Sequence, residues 1–386
     1  MKFFINKQKI ASGNLALLLL PGFYLAYRLL LPFGDEPDFK FRAMELLGSN
    51  LIDFYFFKDV YLNADYDSTC TSSWTQLALW GGVDGFYCAD NFYLELARWL
   101  NQVFVYFLFL FFLKLSRIVG NQSGFDLKYK SIVCSLLLPS VIYYGGVIGL
   151  EAFALYISFF VFLVNKHFLK LALIFLLALF DEGFFLVVLF FYFYFSLSQV
   201  LLNKLGPRAL VIFSLFFMLC SYFLSLNLIG WLEHLPVVGQ KASLVYNSYS
   251  SSYSYVYTNY PVALRPIVTF LTGTFMLPSG LKAIAVNGVL LLLLVLVFSK
   301  AFLFLFEGGE KVTVEFKESL LYLLAPICFV VSVVFILPGH ANAKYYIFIV
   351  PYLFYACHKM HCSRSLTPFL VGVNLAVLLT LFWTRL

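Results

Sequence analysis

Charged side chains are scarce: Asp, Glu, Lys and Arg make up 12% of the 386 residues, whereas 62% are hydrophobic. That balance excludes a water-soluble domain, because apolar runs of roughly 18 residues or more recur from one end of the chain to the other. Motifs for handling nucleotides or metals are missing too. There is no Walker A loop, no dinucleotide-binding glycine fingerprint and no His-Glu-x-x-His, so a high-energy substrate must arrive already activated. Internal repeats are lacking, as is the inverted pair of interrupted helices from which many transporters are built. The net charge of +6 is scattered in short clusters rather than gathered into a stripe, which excludes nucleic acid as a partner.

What the chain has instead is hydrocarbon-soluble helix. The expected fold class is an all-α polytopic membrane protein with about 11–12 transmembrane helices of about 20 residues each, forming a single integral-membrane domain over 1–386. The apolar runs place spans near 13–33, 100–116, 131–147, 150–165, 168–181, 183–200, 209–229, 282–305, 319–337, 343–357 and 366–384. The first follows Lys2, Lys7 and Lys9, but it contains Arg28 and lacks a small-x-small cleavage site, so it reads as a retained helix rather than a secretory leader. Basic clusters at Lys114/Arg117/Lys128/Lys130, Lys166/Lys170, Lys204/Arg208, Lys300/Lys311/Lys317 and Lys359/Arg364 join the N-terminal lysines on one side, provided that 263–280 does not cross. The positive-inside rule makes that side cytoplasmic. Segment 263–280 is bounded by Pro261, Pro266 and Pro278, which suits a surface or re-entrant helix; a full crossing there would invert everything after it.

Two long loops then face outward. Residues 34–99 carry eleven acidic side chains against Lys40, Arg42, Lys58 and Arg98, together with Cys70 and Cys88, which can pair in an oxidising compartment. Residues 229–262 set Tyr246, Tyr249, Tyr253, Tyr255, Tyr257 and Tyr260 among serines, a pattern suited to stacking on sugars and equally to the headgroup belt.

The most informative residues are Asp35 and Glu36, directly after the first span. Two adjacent carboxylates beside lipid are costly unless used, and partial burial raises a carboxyl pKa toward the range of a general base. Three further turns reach the same face: Gly145 to Glu151, Asp181-Glu182-Gly183, and Pro338 to Lys344 with His340 within it. The acids also suit helix N-termini, where a carboxylate complements the dipole. Lys344 and His340, with Arg265 as a weaker third, supply positive charge for a departing phosphate, although Lys344 can equally snorkel from a span end. Cys357, His358, His361 and Cys362 cluster too, but four ligands on one short helical turn do not easily close a tetrahedral metal site.

This pattern resembles the GT-C superfamily of multi-spanning glycosyltransferases. The resemblance rests on Asp35-Glu36 with Phe39 and Arg42-Ala43, on Leu96-Ala97-Arg98-Trp99-Leu100-Asn101 entering the second span, and on Pro139 through Tyr143-Tyr144 to Glu151; it covers roughly the first 200 residues. It implies a polyprenyl-phosphate-linked sugar donor, a glycan or glycolipid acceptor, and an acidic base in the first outer loop, here Asp35 or Glu36. It also implies a basic group in a late outer loop that meets the lipid phosphate, where this chain has Lys344. A divalent cation beside the acids Asp35, Glu36, Glu151, Asp181 and Glu182 is left open, and no other cofactor is called for. The expected location is a multi-pass position in a bacterial inner membrane, with the site extracytoplasmic and membrane lipid as surroundings. Two other readings remain at this stage: a polymerase joining lipid-linked repeat units, and a lipid-linked glycan transporter. Transporters usually hold ionisable groups near the bilayer midplane rather than at span ends.

Overall fold

The computed structural model describes residues 19–27, 106–114, 125–145, 150–178, 182–225, 261, 314–336, 346–360 and 366–383. Helix accounts for 94% of them, with no strand among the described residues. The helices are α1 (19–27), α2 (106–114), α3 (Phe125–Leu136), α4 (Pro139–Gly145), α5 (Leu150–Leu163), α6 (His167–Leu177), α7 (Glu182–Leu205), α8 (Pro207–Ser225), α9 (Val314–Ile336), α10 (Val350–Lys359) and α11 (Leu366–Trp383), with a 3₁₀ turn at Ile347–Ile349 before α10. In apolar surroundings this is the economical solution, because a helix satisfies every interior peptide group within its own segment.

Local sequence sets several boundaries. The run expected at 131–147 begins earlier, at Phe125, and breaks before Pro139, whose ring disfavours helical geometry at Leu138. The break is closed by two tight bonds, Leu137 N–H to the Cys134 carbonyl at 3.2 Å and Leu138 N–H to the Ser135 carbonyl at 3.0 Å, and Pro139 opens the next helix. At the other end of the scale, α7 extends five residues beyond the expected 183–200. It stops only at Gly206, whose φ of 88° lies in the left-handed region, after which Pro207 starts α8. Pro326 sits inside α9 without ending it.

Among the described residues, three helices are long and apolar enough to cross a membrane: Phe184–Leu205, Pro207–Leu224 and Phe316–Ile336. Several of the expected spans are shorter. At about 1.5 Å per residue the 14 residues of α5 reach about 21 Å, less than a hydrocarbon core of about 30 Å.

The chain forms two compact units. One comprises 1–129, 141–182 and 374–386, the other 130–140 and 183–373. The first is packed around aromatic rings: Phe109 stacks on Tyr156 at 4.6 Å and meets Phe159 and Phe160 edge-on, while Tyr24 meets Tyr106 edge-on at 5.5 Å. The second is centred on Phe191, which touches Phe195, Phe329, Phe348 and Tyr352 at 5.0–5.7 Å between ring centres.

Those ring contacts also give helix directions within the second unit. Tyr194 bonds Ser214 near the α7–α8 turn, and Phe195 meets Tyr322 while Phe191 meets Phe329, so α7 runs antiparallel to both α8 and α9. Tyr222 meets Phe335 near the ends of α8 and α9, which therefore run parallel. Tyr322 meets Tyr355, and the Lys359 ammonium pairs with Glu318 at 2.8 Å, so α10 returns against α9. Ser225 and Val314 thus stand at opposite ends of a parallel pair.

Replacing Phe191 with Ala should lower unfolding stability by about 3–5 kcal/mol, the range for truncating a buried Phe. Phe190→Ala, on the exposed stripe of the same helix, should change little. Denaturant unfolding of the detergent-solubilised protein measures both.

Candidate functional site

Asp35, Glu36, Asp181, Arg265, His340 and Lys344 lie outside the described residues, as do Cys70, Cys88 and the loops 34–99 and 229–262. Glu151 and Glu182 fall in the first turns of α5 and α7, and their side chains lie outside what the structure describes. Their registers differ. On α7 the buried face runs through Phe184, Val188, Phe191, Phe195, Ser198 and Leu202, and position 182 falls on the opposite side, in line with exposed Leu186, Phe193 and Leu197. On α5 the less buried stripe runs through positions 157, 160 and 164. Position 151 lies away from it, in line with buried Leu155, Ser158 and Phe162.

Within the second unit, the start of α7 and the turn before α10 lie at one end of the helices. The Phe184 ring, in the first turn of α7, meets the Phe348 ring, in the turn that opens α10, at 5.7 Å. The start of α7 and the 3₁₀ turn before α10 therefore share an end of the second unit's helices. Lys359, Glu318 and His358 belong to the opposite end.

Two buried polar clusters went unforeseen. In the first unit the Tyr24 and Tyr156 hydroxyls pair at 3.1 Å, and the Tyr27 hydroxyl donates to Asn374 Oδ1 at 3.0 Å. Gly145, the last residue of α4, packs against the first pair: a Cβ there would stand 3.4 Å from the Tyr156 hydroxyl and 3.5 Å from that of Tyr24. A tyrosine inside an apolar run was the available signal, since a hydroxyl placed there needs a partner. In the second unit Cys134 Sγ lies 3.7 Å from His358 Nε2 and 3.9 Å from Thr367 Oγ1. Burial, reinforced by the Lys130 charge, lowers the His358 imidazole to about 4. The thiol and the imidazole share a weak hydrogen bond in the buried core. Of the clustered Cys357, His358, His361 and Cys362, the last two lie outside the described residues, and among the described residues no group of three or more His, Cys, Asp or Glu is placed to hold a metal.

Because folding holds His358 below its ordinary 6.5, its neutral form contributes stability above about pH 6.5, and that contribution is lost as the pH falls toward about 4. His358→Gln should flatten this part of the pH–stability curve, read by thermal unfolding across the window. Tyr24→Phe should cost about 0.5–1.5 kcal/mol by the same assay, as one buried hydrogen bond is lost. Gly145→Ala should be tolerated while Gly145→Leu, driven into both hydroxyls, should destabilise more than Tyr24→Phe.

No family model, curated protein or solved structure matches the chain, so the functional reading rests on its own residues.

Proposed function

We propose that the chain is a polytopic membrane glycosyltransferase of the GT-C kind, moving a sugar from a polyprenyl-phosphate-linked donor to a glycan or glycolipid acceptor at the extracytoplasmic face. The observation that carries this reading is the position of Glu151. Glu151 falls in the first turn of α5, a helix that is otherwise apolar, and ionisable residues in membrane-spanning segments mark substrate or ion sites by default.

The parallel course of α8 and α9 supports the accompanying topology. With one crossing at 282–305, the chain leaves α8 on one face and re-enters α9 from the other, which is the arrangement in which 263–280 does not cross. His340 and Lys344 then stand on the same face as the 181–182 turn, in keeping with the Phe184–Phe348 contact. By the charge rule that face is extracytoplasmic.

In the reaction, Asp35 or Glu36 takes the proton of an acceptor hydroxyl as its oxygen attacks the anomeric carbon. Glu151 orients the acceptor. The bond from the anomeric carbon to the phosphate oxygen breaks, and polyprenyl phosphate leaves with its charge met by Lys344, His340 and Arg265.

Glycan profiling of cells with and without the gene tests the reading. Loss of one sugar, restored by the wild-type chain but not by Glu151→Gln or by Asp35→Asn/Glu36→Gln, is the expected result. Removing the base should slow transfer by about 10²–10⁴-fold. Loss of a whole polymer with single-sugar transfer intact would point to repeat-unit polymerisation instead, and normal transfer by both variants would sink the assignment.

A further inference from the structure

Helix α8 turns most of its length outward. Ile212, Leu215, Phe216, Leu219 and Phe223 are exposed, and the buried residues of α8 are Leu210, Ser214 and Ser221. The strip that holds this span to its neighbours is therefore largely serine, small enough for close approach and polar enough to bond across a helix pair. Ser221 uses its hydroxyl on its own helix, donating to the Phe217 carbonyl at 2.8 Å. Ser214 bonds across the pair and accepts from the Tyr194 hydroxyl of α7 at 3.2 Å.

Ser198 stands on the opposite arm of the same hairpin. It and Ser214 are equally far along the chain from Gly206, so the antiparallel course of α7 and α8 sets the two serines level with each other. Leu202 and Leu210, each one turn nearer Gly206, are buried in the adjoining layer, and two serines leave more room than two leucines. The Ser198 hydroxyl oxygen is shut off from solvent and has no hydrogen-bond partner. The Tyr194 hydroxyl, from one turn earlier on α7, is near enough to feel Ser198, yet the two do not reach hydrogen-bonding geometry. A polar contact just beyond bonding distance is where a bridging water belongs. Serines buried elsewhere in apolar helix satisfy themselves: Ser135, Ser158 and Ser221 each donate to a carbonyl of their own helix at 2.6–2.8 Å. Ser140 and Ser332 lack partners as Ser198 does, but Ser198 stands level with a hydroxyl pair that has bonding capacity left.

We propose that Ser198, Ser214 and Tyr194 hold a buried water molecule between α7 and α8. Ser214, having accepted from Tyr194, keeps its own proton to donate, and the Tyr194 oxygen keeps a lone pair. Ser198 offers both a proton and lone pairs. A water that accepts from Ser214, donates to Tyr194 and completes Ser198 makes about three hydrogen bonds, the usual number for a buried water. It ties two spans at one register, in a strip of α8 where buried apolar side chains are few. The inference does not rest on the glycosyltransferase reading, in which none of these residues takes part.

X-ray radiolytic footprinting of the full chain in lipid nanodiscs tests the site, because radicals form from bound water as well as from bulk water and oxidise the side chains beside it. Tyr194 should be oxidised despite its burial, whereas Tyr24, whose hydroxyl meets that of Tyr156 directly, should not. Ser198→Ala should abolish the Tyr194 labelling. Thermal unfolding of the same variant reads the site a second way: with a bridging water in place the substitution removes a bond and lowers the unfolding temperature, whereas removing a hydroxyl that nothing satisfies raises it. Tyr194 labelled no more than Tyr24 in the wild-type chain, labelling unchanged in Ser198→Ala, or a rise in that variant's unfolding temperature would each overturn the assignment.

Discussion

Peptide groups in a chain this apolar need hydrogen bonds from their own segment, and most of what the structure does follows from meeting that requirement. Helix is the outcome for nearly all of the described residues, and several of the places where helices stop are places where the bonding is rescued by other means. The two i→i+3 bonds before Pro139 and the left-handed Gly206 before Pro207 are such rescues. They turn the chain within one or two residues, without a polar loop that apolar surroundings would penalise.

With the backbone satisfied, packing falls to aromatic rings and a few neutral polar pairs. In the second unit, Phe191 and the rings around it join α7, α9 and α10 in one contact set, so helix direction and register are fixed together. Interior polarity takes neutral forms, such as Tyr24 with Tyr156, Tyr27 with Asn374 and Tyr194 with Ser214. Neutral pairs avoid the desolvation cost that a buried ion pair must recover. A charged pair among the described residues, Lys359 with Glu318, stands at helix ends with both side chains partly exposed.

The elements were legible because their signals are local. The proline at 139, the glycine at 206 and the apolar run from 366 each mark a boundary without reference to the rest of the chain, and α11 begins at the residue expected for it. Lengths were less legible. Helix α7 runs on through Gln199, Asn203 and Lys204, because polar residues at the end of a span continue the helix as readily as apolar ones. Convergence was hardly legible at all: Cys134 and His358 are 224 positions apart, and no periodicity ties one to the other. The same limit applies to the acids, whose alternation in sequence gives a shared face but not a shared pocket.

The distribution of charge along α5 follows from these constraints. Its first turn carries Glu151, and the turn beyond its last residue holds Asn165 with Lys128 bound to it, so an acid stands at the positive end of the dipole and a cation at the negative end. Both placements stabilise the helix, and both agree with a charge gradient across a membrane. Helix α6, joined to it by three residues, begins where α5 ends, and so inherits the basic end of its neighbour as its own N-terminus. The arrangement that favours α5 therefore leaves α6 with positive side chains on a positive dipole.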